Sequence, residues 1–467
     1  MVDDASFVGI LLAAAPAILN SVAAPVAAAT QLALLGHSHD DPVRTVAAYA
    51  AVDTSVTFVA NLCNFLNVVA MARVGQALGA QRWTQLGVLV RVALCAALCC
   101  GGAAALLLRS AQEGIVILMS LEPDVADAMR AYLQVALLRL PSLLLLRSAS
   151  GVLTGFQRVG LASAINTTLA AADAAAFYVV LAVRGDSLVQ AGAAAAFNCT
   201  CAAAAAVLAV ATCPPDGRVR LSPACGGGKA SDGTAGEDKG VSAPAEAPVS
   251  WCQLAADSSN VLLRSLLLSG SMYSLSVRAA VLGAAPLAAH AVVMQLWMIT
   301  SYVADGFADV GTMRGARMLG AGDGDGMRRL TLRVGALGVA TGVGAAAVMA
   351  VYSDGIARLF TRDAAVVGVL RATWPLLCAL QPINATVFVY DGLMYATQSF
   401  AFVRNALAIG VLGGFAPALW AAATYGRTLR ALWAAKAVLN SWRCLSALFR
   451  IHLQLWPTWR RTAGELL

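Results

Sequence analysis

Four of the acidic residues that lie inside long apolar stretches are candidates for chemistry, because an ionised carboxylate there is costly unless it faces water or a partner charge. Asp173 lies in NTTLAAADAAAFYVV, Asp305 and Asp309 in VADGFADVG, and Asp391 in INATVFVYDGLMYA. A carboxylate in such a place can bind and release a proton or a cation. For Asp173 this role is favoured over ion pairing, because its own helix has no basic neighbour within a turn. Asp173, Asp305 and Asp391 are therefore the candidate coupling residues.

Structural roles for the other acids stay open. Asp305 and Asp309 are one helical turn apart on one face, and either can pair with Arg264 or Arg314. Asp391 precedes a glycine and can shape a break in its helix.

The elements that position these acids are membrane-spanning helices. The 467 residues are 59% hydrophobic and 12% charged, with a mean hydropathy of +0.73, whereas soluble domains carry about 25% charged residues. A transmembrane barrel would alternate apolar and polar residues, but Leu94–Leu108 and Leu332–Val351 are apolar on all sides. The sequence predicts an all-α polytopic membrane protein whose first partner is the lipid bilayer.

Twelve stretches are long enough to cross a bilayer, which takes about twenty apolar residues. They lie near residues 7–35, 45–72, 86–108, 131–153, 161–183, 188–211, 255–282, 287–312, 330–352, 366–396, 399–424 and 428–450. Residues 213–250 are rich in Pro, Gly, Ser and mixed charge, a composition that cannot form a core. We expect a six-helix bundle over residues 1–212, a disordered linker over 213–250, and a second six-helix bundle with a short tail over 251–467.

The two halves are related in sequence. Met71–Ala80 (MARVGQALGA) matches Thr312–Ala321 (TMRGARMLGA) at an offset of 241 positions. The same offset pairs Pro141 with Pro382, Gly151 with Gly392, and Gln157 with Gln398. Because each half holds an even number of spans, the repeat is parallel. Internal repeats of this kind are typical of secondary transporters that alternate access around a central cavity.

Charge and cysteine content indicate which kinds of ligand and which orientation to expect. The net charge of +7 comes almost wholly from Arg at the predicted helix ends, so nucleic-acid binding is not indicated. More Arg lies in the connections on the side of the amino terminus, which predicts that both termini are cytoplasmic. Most of the 11 Cys lie in apolar runs without metal-ligand spacing. We expect neither a metal site nor a cofactor, and no cleavable signal before the first span.

Prolines inside the spans can bend them, because proline removes a helical hydrogen bond. Pro16 and Pro25 lie in the first span, and Pro382 lies in the tenth. We take these three as candidate bending or gating positions.

Three stretches, Arg264–Val281, Pro286–Asp323 and Gln381–Phe402, resemble the multidrug and toxic compound extrusion (MATE) transporters, and most closely their DinF-like branch. Gly151–Gln157 and the acid at Asp173 extend this resemblance to the first half. It implies twelve helices in two bundles about a central cleft, and cation-driven export of small organic compounds. It also implies that Pro16 is the bending proline of the first helix and that Asp173 is the acid tied to proton coupling.

The chain departs from that pattern at two positions. The branch usually has Asp-Thr where this chain has Gln31-Leu32, and it often has Asn where this chain has Leu169. The sodium-linked branch carries an acid near the position of Asn384. Protons are therefore the expected coupling ion, with Na⁺ less favoured. Gln31, Asn166, Gln295 and Asn384 are the candidate polar residues of the substrate cleft.

Several functions remain open on the sequence. The first is a monomeric antiporter that exports xenobiotics, secondary metabolites or organic acids in exchange for protons. The second is a weakly coupled or passive facilitator, suggested by neutral Gln31. An intramembrane transferase is a third, but the four His are scattered and no nucleophile with a nearby base appears. A receptor or scaffold would not need the repeated half.

Overall fold

The computed structural model describes residues 6–36, 42–118, 123–185, 187–212, 250–360 and 364–459. Within these ranges the chain is helical and contains no β-strand. Apart from Ser250, the predicted linker lies outside them, as does the end of the carboxyl-terminal tail. The predicted all-helical fold is confirmed.

Eight helices make up the first half. They are α1 Phe7–Gly36, α2 Pro42–Leu62, α3 Phe65–Gly79, α4 Trp83–Ser110, α5 Gln112–Leu118, α6 Pro123–Gly155, α7 Val159–Phe177 with a π-helical extension Tyr178–Val183, and α8 Leu188–Thr212. A short turn separates α2 from α3, and the two together cross the membrane once as Ala48–Gly79.

The second half repeats this order. Its helices are α9 Trp251–Val281, α10 Ala284–Gly320, α11 Gly324–Val351, α12 Ser353–Phe360, α13 Ala364–Ala396, α14 Phe400–Ile409, α15 Ala416–Ala421 and α16 Leu429–Leu448; π-helical segments Gly410–Phe415, Ala422–Gly426 and Phe449–Leu455 follow α14, α15 and α16.

Ten helical segments among the described residues are apolar and long enough to cross a membrane. The two remaining helices of the expected twelve are α9 and α16. Both carry charged side chains towards the protein interior, among them Asp257 in α9 and Lys436 and Arg443 in α16. These charges lower the apolarity of the helices, but they do not face lipid, so the helices can still span.

Equivalent residues of the two halves make equivalent contacts. The backbone of Pro141 packs against Gly101 in α4, and the backbone of Pro382 packs against Gly342 in α11, 241 positions further on. Gly151 likewise packs on Asn67, and Gly392 on Ala308. Each contact joins two helix backbones so closely that a side chain at the glycine would overlap its neighbour. The sequence repeat is therefore a repeat of packing.

The turns repeat as well. Gln81 and Gly322 both adopt a positive φ, at 54° and 74°, and so do Gln157 and Gln398, at 63° and 55°. A positive φ is uncommon for glutamine. Its recurrence 241 positions apart shows that each half ends the corresponding helices in the same backbone turn.

Candidate coupling site

Asp173 lies inside the first half, with 2% of its surface exposed. Arg139 of α6 donates to its Oδ2 at 2.7 Å, and Asn198 of α8 donates to its Oδ1 at 3.2 Å. The basic partner that is absent from α7 is thus supplied by another helix. Sequence reasoning considered only the helix of Asp173, and it missed Arg139 and Asn198 for that reason.

Gln31 is also buried, at 5% exposure. The hydroxyl of Tyr49 in α2 donates to its Oε1 at 2.8 Å. The DinF-like branch, which the sequence resembles, usually has an acid at this position. This chain instead has a neutral amide that accepts a hydrogen bond from a tyrosine.

Asp391 is the centre of the largest ion-pair cluster in the described part of the second half. Both Arg264 of α9 and Arg443 of α16 donate to its Oδ2, Arg443 at 2.7 Å. Helix α13 continues through Asp391 to Ala396 without a break. The interpretation of Asp391 as the residue that shapes a helix break is therefore wrong, because its carboxylate joins three helices.

Asp305 and Asp309 are half-buried on α10. Arg264 lies within electrostatic range of Asp305, yet its guanidinium is bonded to Asp391. Neither Asp305 nor Asp309 takes part in a salt bridge within the ranges that the structure describes.

The remaining polar candidates divide between the interior and the cleft. Asn166 donates to Ser150 at 3.1 Å within the first half. Asn384 is 1% exposed and donates to Ser301 at 3.0 Å within the second. Gln295 is exposed and lies three helical turns from Gly306, which packs against Ile18 of α1. It therefore extends the α10 face that meets the first half.

The three prolines lie within continuous helices. Pro16 and Pro25 are inside α1, and Pro382 is inside α13. Pro382 lies at the close contact with Gly342 described above. Pro16 and Pro25 are partly exposed on α1.

The halves meet on the side of the molecule where α1 and α9 begin, here called the N-side. A Cβ atom at Gly79 would overlap the carbonyl oxygen of Arg317, and one at Gly320 would overlap that of Gln76. Gly79 and Gly320 are equivalent in the repeat, as are Gln76 and Arg317. The crossing of α3 and α10 therefore has approximate two-fold symmetry.

Polar contacts reinforce this crossing. Arg317 donates to Gln157 Oε1 at 2.7 Å, and the equivalent residues Gln76 and Gln398 are joined by a hydrogen bond. Arg73 of α3 also pairs with Asp257 of α9 across the two halves.

Hydrophobic clusters of the described residues join the two halves on the N-side but not on the opposite side. One cluster joins the beginning of α1, including Ile10 and Ala14, to the later part of α10, including Val310 and Met313. On the opposite side, here called the far side, each cluster belongs to one half only, as with those around Tyr132 and around Trp433. The structure is therefore closed on the N-side.

A search of the described residues finds no group of three or more His, Cys, Asp or Glu arranged to hold a metal ion. The charged groups found inside the two halves are paired or isolated carboxylates and guanidinium groups, together with the buried Lys436. Such groups can bind protons, small ions or charged substrates.

The arrangement agrees with comparisons to known proteins. The chain is 30% identical over 199 residues to Protein DETOXIFICATION 45, chloroplastic, and 28% identical over 178 residues to Protein DETOXIFICATION 44, chloroplastic, both from Arabidopsis thaliana. These matches cover 43% and 38% of this chain, and 35% and 33% of the relatives. The chain thus spans about a third of the length of these curated relatives.

Solved structures share the fold over nearly the whole chain. The eukaryotic MATE transporter AtDTX14 has a TM-score of 0.79 at 14% identity, covering 98% of both chains. The Vibrio cholerae MATE transporter VcmN in the bent form has a TM-score of 0.78 at 14% identity, covering 98% of this chain and 96% of that one.

The MatE family model matches residues 16–173 and 261–420, one match in each half. Together these ranges cover well over half of the chain and include Pro16, Asp173, Asp305 and Asp391. With the repeated six-span half and the shared fold, this match shows that the chain belongs to the MatE family of membrane transporters.

Proposed function

We propose that this transporter is an antiporter that exports small organic compounds, such as xenobiotics, secondary metabolites or organic acids, in exchange for protons. The observation that carries the proposal is the buried carboxylate of Asp173, bonded to Arg139 within one half of a molecule whose described residues join the two halves on the N-side. Protonation of Asp173 would remove its charge and weaken the pair with Arg139. A change of that kind alters the packing of three helices at once.

Alternating access follows from the closed side. The contacts around Gly79 and Gly320 must separate for the N-side to open, and contacts on the far side must then form. A proton drives this exchange only if it binds the two states with different affinity. We propose Asp173 as the group that meets this condition, because its partners Arg139 and Asn198 come from α6 and α8, and a shift of either helix would change the affinity of Asp173 for a proton.

Orientation and organisation are part of the proposal. The N-side carries the beginnings of α1 and α9 and the ends of α8 and α16, and we place it in the cytoplasm on the basis of the basic connections. The structure is then the outward-facing state of a monomer with bundles 1–212 and 251–467. The DinF-like branch and the preference for H⁺ over Na⁺ rest on the sequence pattern alone.

Gln31 favours a second candidate, a weakly coupled facilitator of the same fold. Its amide accepts a hydrogen bond from Tyr49 and neither takes up nor releases a proton in the physiological range. The acid that the DinF-like branch usually has at this position of the first helix is therefore missing. Flux that is independent of an imposed pH gradient would support the facilitator.

Replacement of Asp173 tests the antiporter. Asp173→Asn keeps the hydrogen-bond geometry but cannot bind a proton, so we expect unchanged membrane insertion and a gradient-driven efflux rate lowered about tenfold or more, within the usual strength of coupling between linked sites. The measurement is ethidium flux in proteoliposomes with and without a pH gradient. Exposed Asp127→Asn is the matched control. An unchanged gradient response in Asp173→Asn would contradict the proposal.

A further inference from the structure

A second acid, Asp53 of α2, lies within electrostatic range of the arginine that binds Asp173. Asp53 is half-buried. No hydrogen bond or ion pair holds its carboxylate in the part of the chain that the structure describes. The apolar span around it gave no reason to select it over other acids, because its significance depends on what α6 brings next to it.

Three aromatic rings fix the position of Asp53. Tyr49 of α2 lies 5.8 Å from Tyr132 of α6 and 6.0 Å from Phe177 of α7, measured between ring centroids. The rings form a layer that joins the three helices inside the first half.

The charged residues form the next layer towards the N-side. Asp53 follows Tyr49 by one turn of α2, which runs towards the N-side, and Asp173 precedes Phe177 by one turn of α7, which runs away from it. Arg139 follows Tyr132 by two turns on the same face of α6. Asp53, Arg139 and Asp173 therefore all lie on the N-side of the aromatic layer, where Arg139 is bonded to Asp173.

Arg139 has an unused donor. Its terminal nitrogen bonds to Asp173, but its Nε atom is buried and has no hydrogen-bond partner in the structure. An unused donor and an unused carboxylate thus occupy the same layer. Two ionised carboxylates and one guanidinium leave a charge of minus one, so the layer is neutral when one carboxylate holds a proton.

We infer that Asp53 is the second partner of Arg139, and that the guanidinium transfers from Asp173 to Asp53 when Asp173 is protonated. Asp53 and Asp173 are then protonated in alternation, never both at once. While Arg139 is bonded to Asp173, Asp53 is the acid that takes a proton, and after transfer the roles reverse. This inference rests on the proposed proton coupling and identifies Asp53 as an additional coupling residue.

Other groups face the layer without replacing Asp53. Tyr49 and Tyr132 contribute hydroxyl groups from α2 and α6, and Cys199 contributes a thiol from α8. Arg147, two turns beyond Arg139, donates to the Ala60 carbonyl oxygen at 2.5 Å. Asp53 is the only carboxylate besides Asp173 within electrostatic range of Arg139 among the described residues.

Infrared difference spectroscopy tests the transfer directly. Purified protein in lipid is compared at neutral and mildly acidic pH, and the C=O stretch of protonated carboxyl groups is followed. In the wild type we expect a band that Asp53→Asn removes. In Asp173→Asn the guanidinium is free to hold Asp53 ionised, so its spectrum should coincide with that of the double variant Asp53→Asn/Asp173→Asn. Asp127→Asn is the control and should keep the Asp53 band.

Two outcomes overturn the inference. One is a wild-type spectrum that Asp53→Asn does not change, and the other is an Asp53 band that persists in Asp173→Asn. If Asp53→Asn does not purify as a monodisperse protein, Asp53→Ser gives a second neutral variant for the same comparison.

Ethidium flux separates this inference from the proposed function. We expect Asp53→Asn to lower the gradient response several-fold. We expect Asp173→Asn and the double variant to share the same residual response, about a tenth of the wild-type response, because Asp53 stays ionised in Asp173→Asn. If Asp53→Asn responds like the wild type while Asp173→Asn does not, Asp53 has no part in coupling, although Asp173 retains its role. If all these variants respond like the wild type, proton coupling through this site fails, and the infrared comparison still decides where Arg139 binds.

Discussion

At the scale of single residues, this transporter holds its intramembrane charges in two different ways. Asp173 has one arginine partner, Arg139, and a second acid, Asp53, lies within electrostatic range of that arginine. Asp391 is bonded to both Arg264 and Arg443, so its single charge holds three helices together. A carboxylate shared by two arginines is less able to release either of them. The first arrangement suits a titrating site, and the second suits a structural one.

The two arrangements predict different costs of neutralisation. Asp391→Asn leaves two arginines in the interior without a counter-charge, and we expect a loss of about 3–5 kcal/mol in the free energy of unfolding. The matched control is Asp354→Asn, which removes the exposed pair with Arg371 and should cost less than about 1 kcal/mol. Thermal unfolding midpoints of the purified variants measure the difference. Equal midpoints would show that Asp391 is not the structural centre of the second half.

At the scale of helices, small residues decide where the halves touch. Gly79 and Gly320 let the backbones of α3 and α10 come into contact at the N-side. The same helices carry larger side chains further along, including Ile299 and Tyr302 on α10. Close approach at one end and bulk at the other give a crossing that can close on one side while the other stays apart.

A single methyl group should therefore disturb the closed state. Gly320→Ala places a Cβ against the Gln76 carbonyl oxygen, so α3 and α10 must move apart and the N-side should open more often. In a cysteine-free background, we expect a water-soluble maleimide to label Gln398→Cys several-fold faster when Gly320→Ala is present. Gly344→Ala is the control, because nothing lies near a Cβ there. Equal labelling rates in the two variants would exclude this role for Gly320.

At the scale of the whole molecule, the repeat gives two similar halves with different chemistry. Packing contacts recur at an offset of 241 positions, as at Gly101 and Gly342. The charged pair of the proposed coupling site does not recur, because the residue equivalent to Arg139 is Leu380 and the one equivalent to Asp173 is Gly414. Symmetric packing suits a rocking motion of one half against the other, while the asymmetric charge places the proposed proton-binding site in the first half.

Orientation is the whole-molecule property that labelling can decide. If both termini are cytoplasmic, a cysteine at Ser231 in the 213–250 segment should react with a membrane-impermeant maleimide only after cells are opened. The basic connections on this side give the physical reason, since positive loops stay in the cytoplasm. A cysteine at exposed Gly185, at the opposite end of the spans, is the matched control and should react in intact cells. Labelling of Ser231→Cys from outside would reverse the orientation.

The sequence by itself determined the elements and the list of acids. Apolar length predicts helices regardless of their neighbours, and the fixed offset between Met71–Ala80 and Thr312–Ala321 predicts two equivalent halves. Asp173 and Asp391 could be selected as candidate coupling residues, because a charge within an apolar span is visible in a linear sequence, and the structure places both in the protein interior.

Only the tertiary structure decided which charges meet. Arg139 lies 34 positions before Asp173, and Arg443 lies 52 positions after Asp391, so no local spacing predicts either pair. The side chain direction on each helix depends on how the helices rotate when they pack, and that rotation is set by contacts such as Gly392 on Ala308. For the same reason Asp53, which lies inside the second predicted span, could not be linked to Asp173 until α2, α6 and α7 were seen to share one aromatic layer.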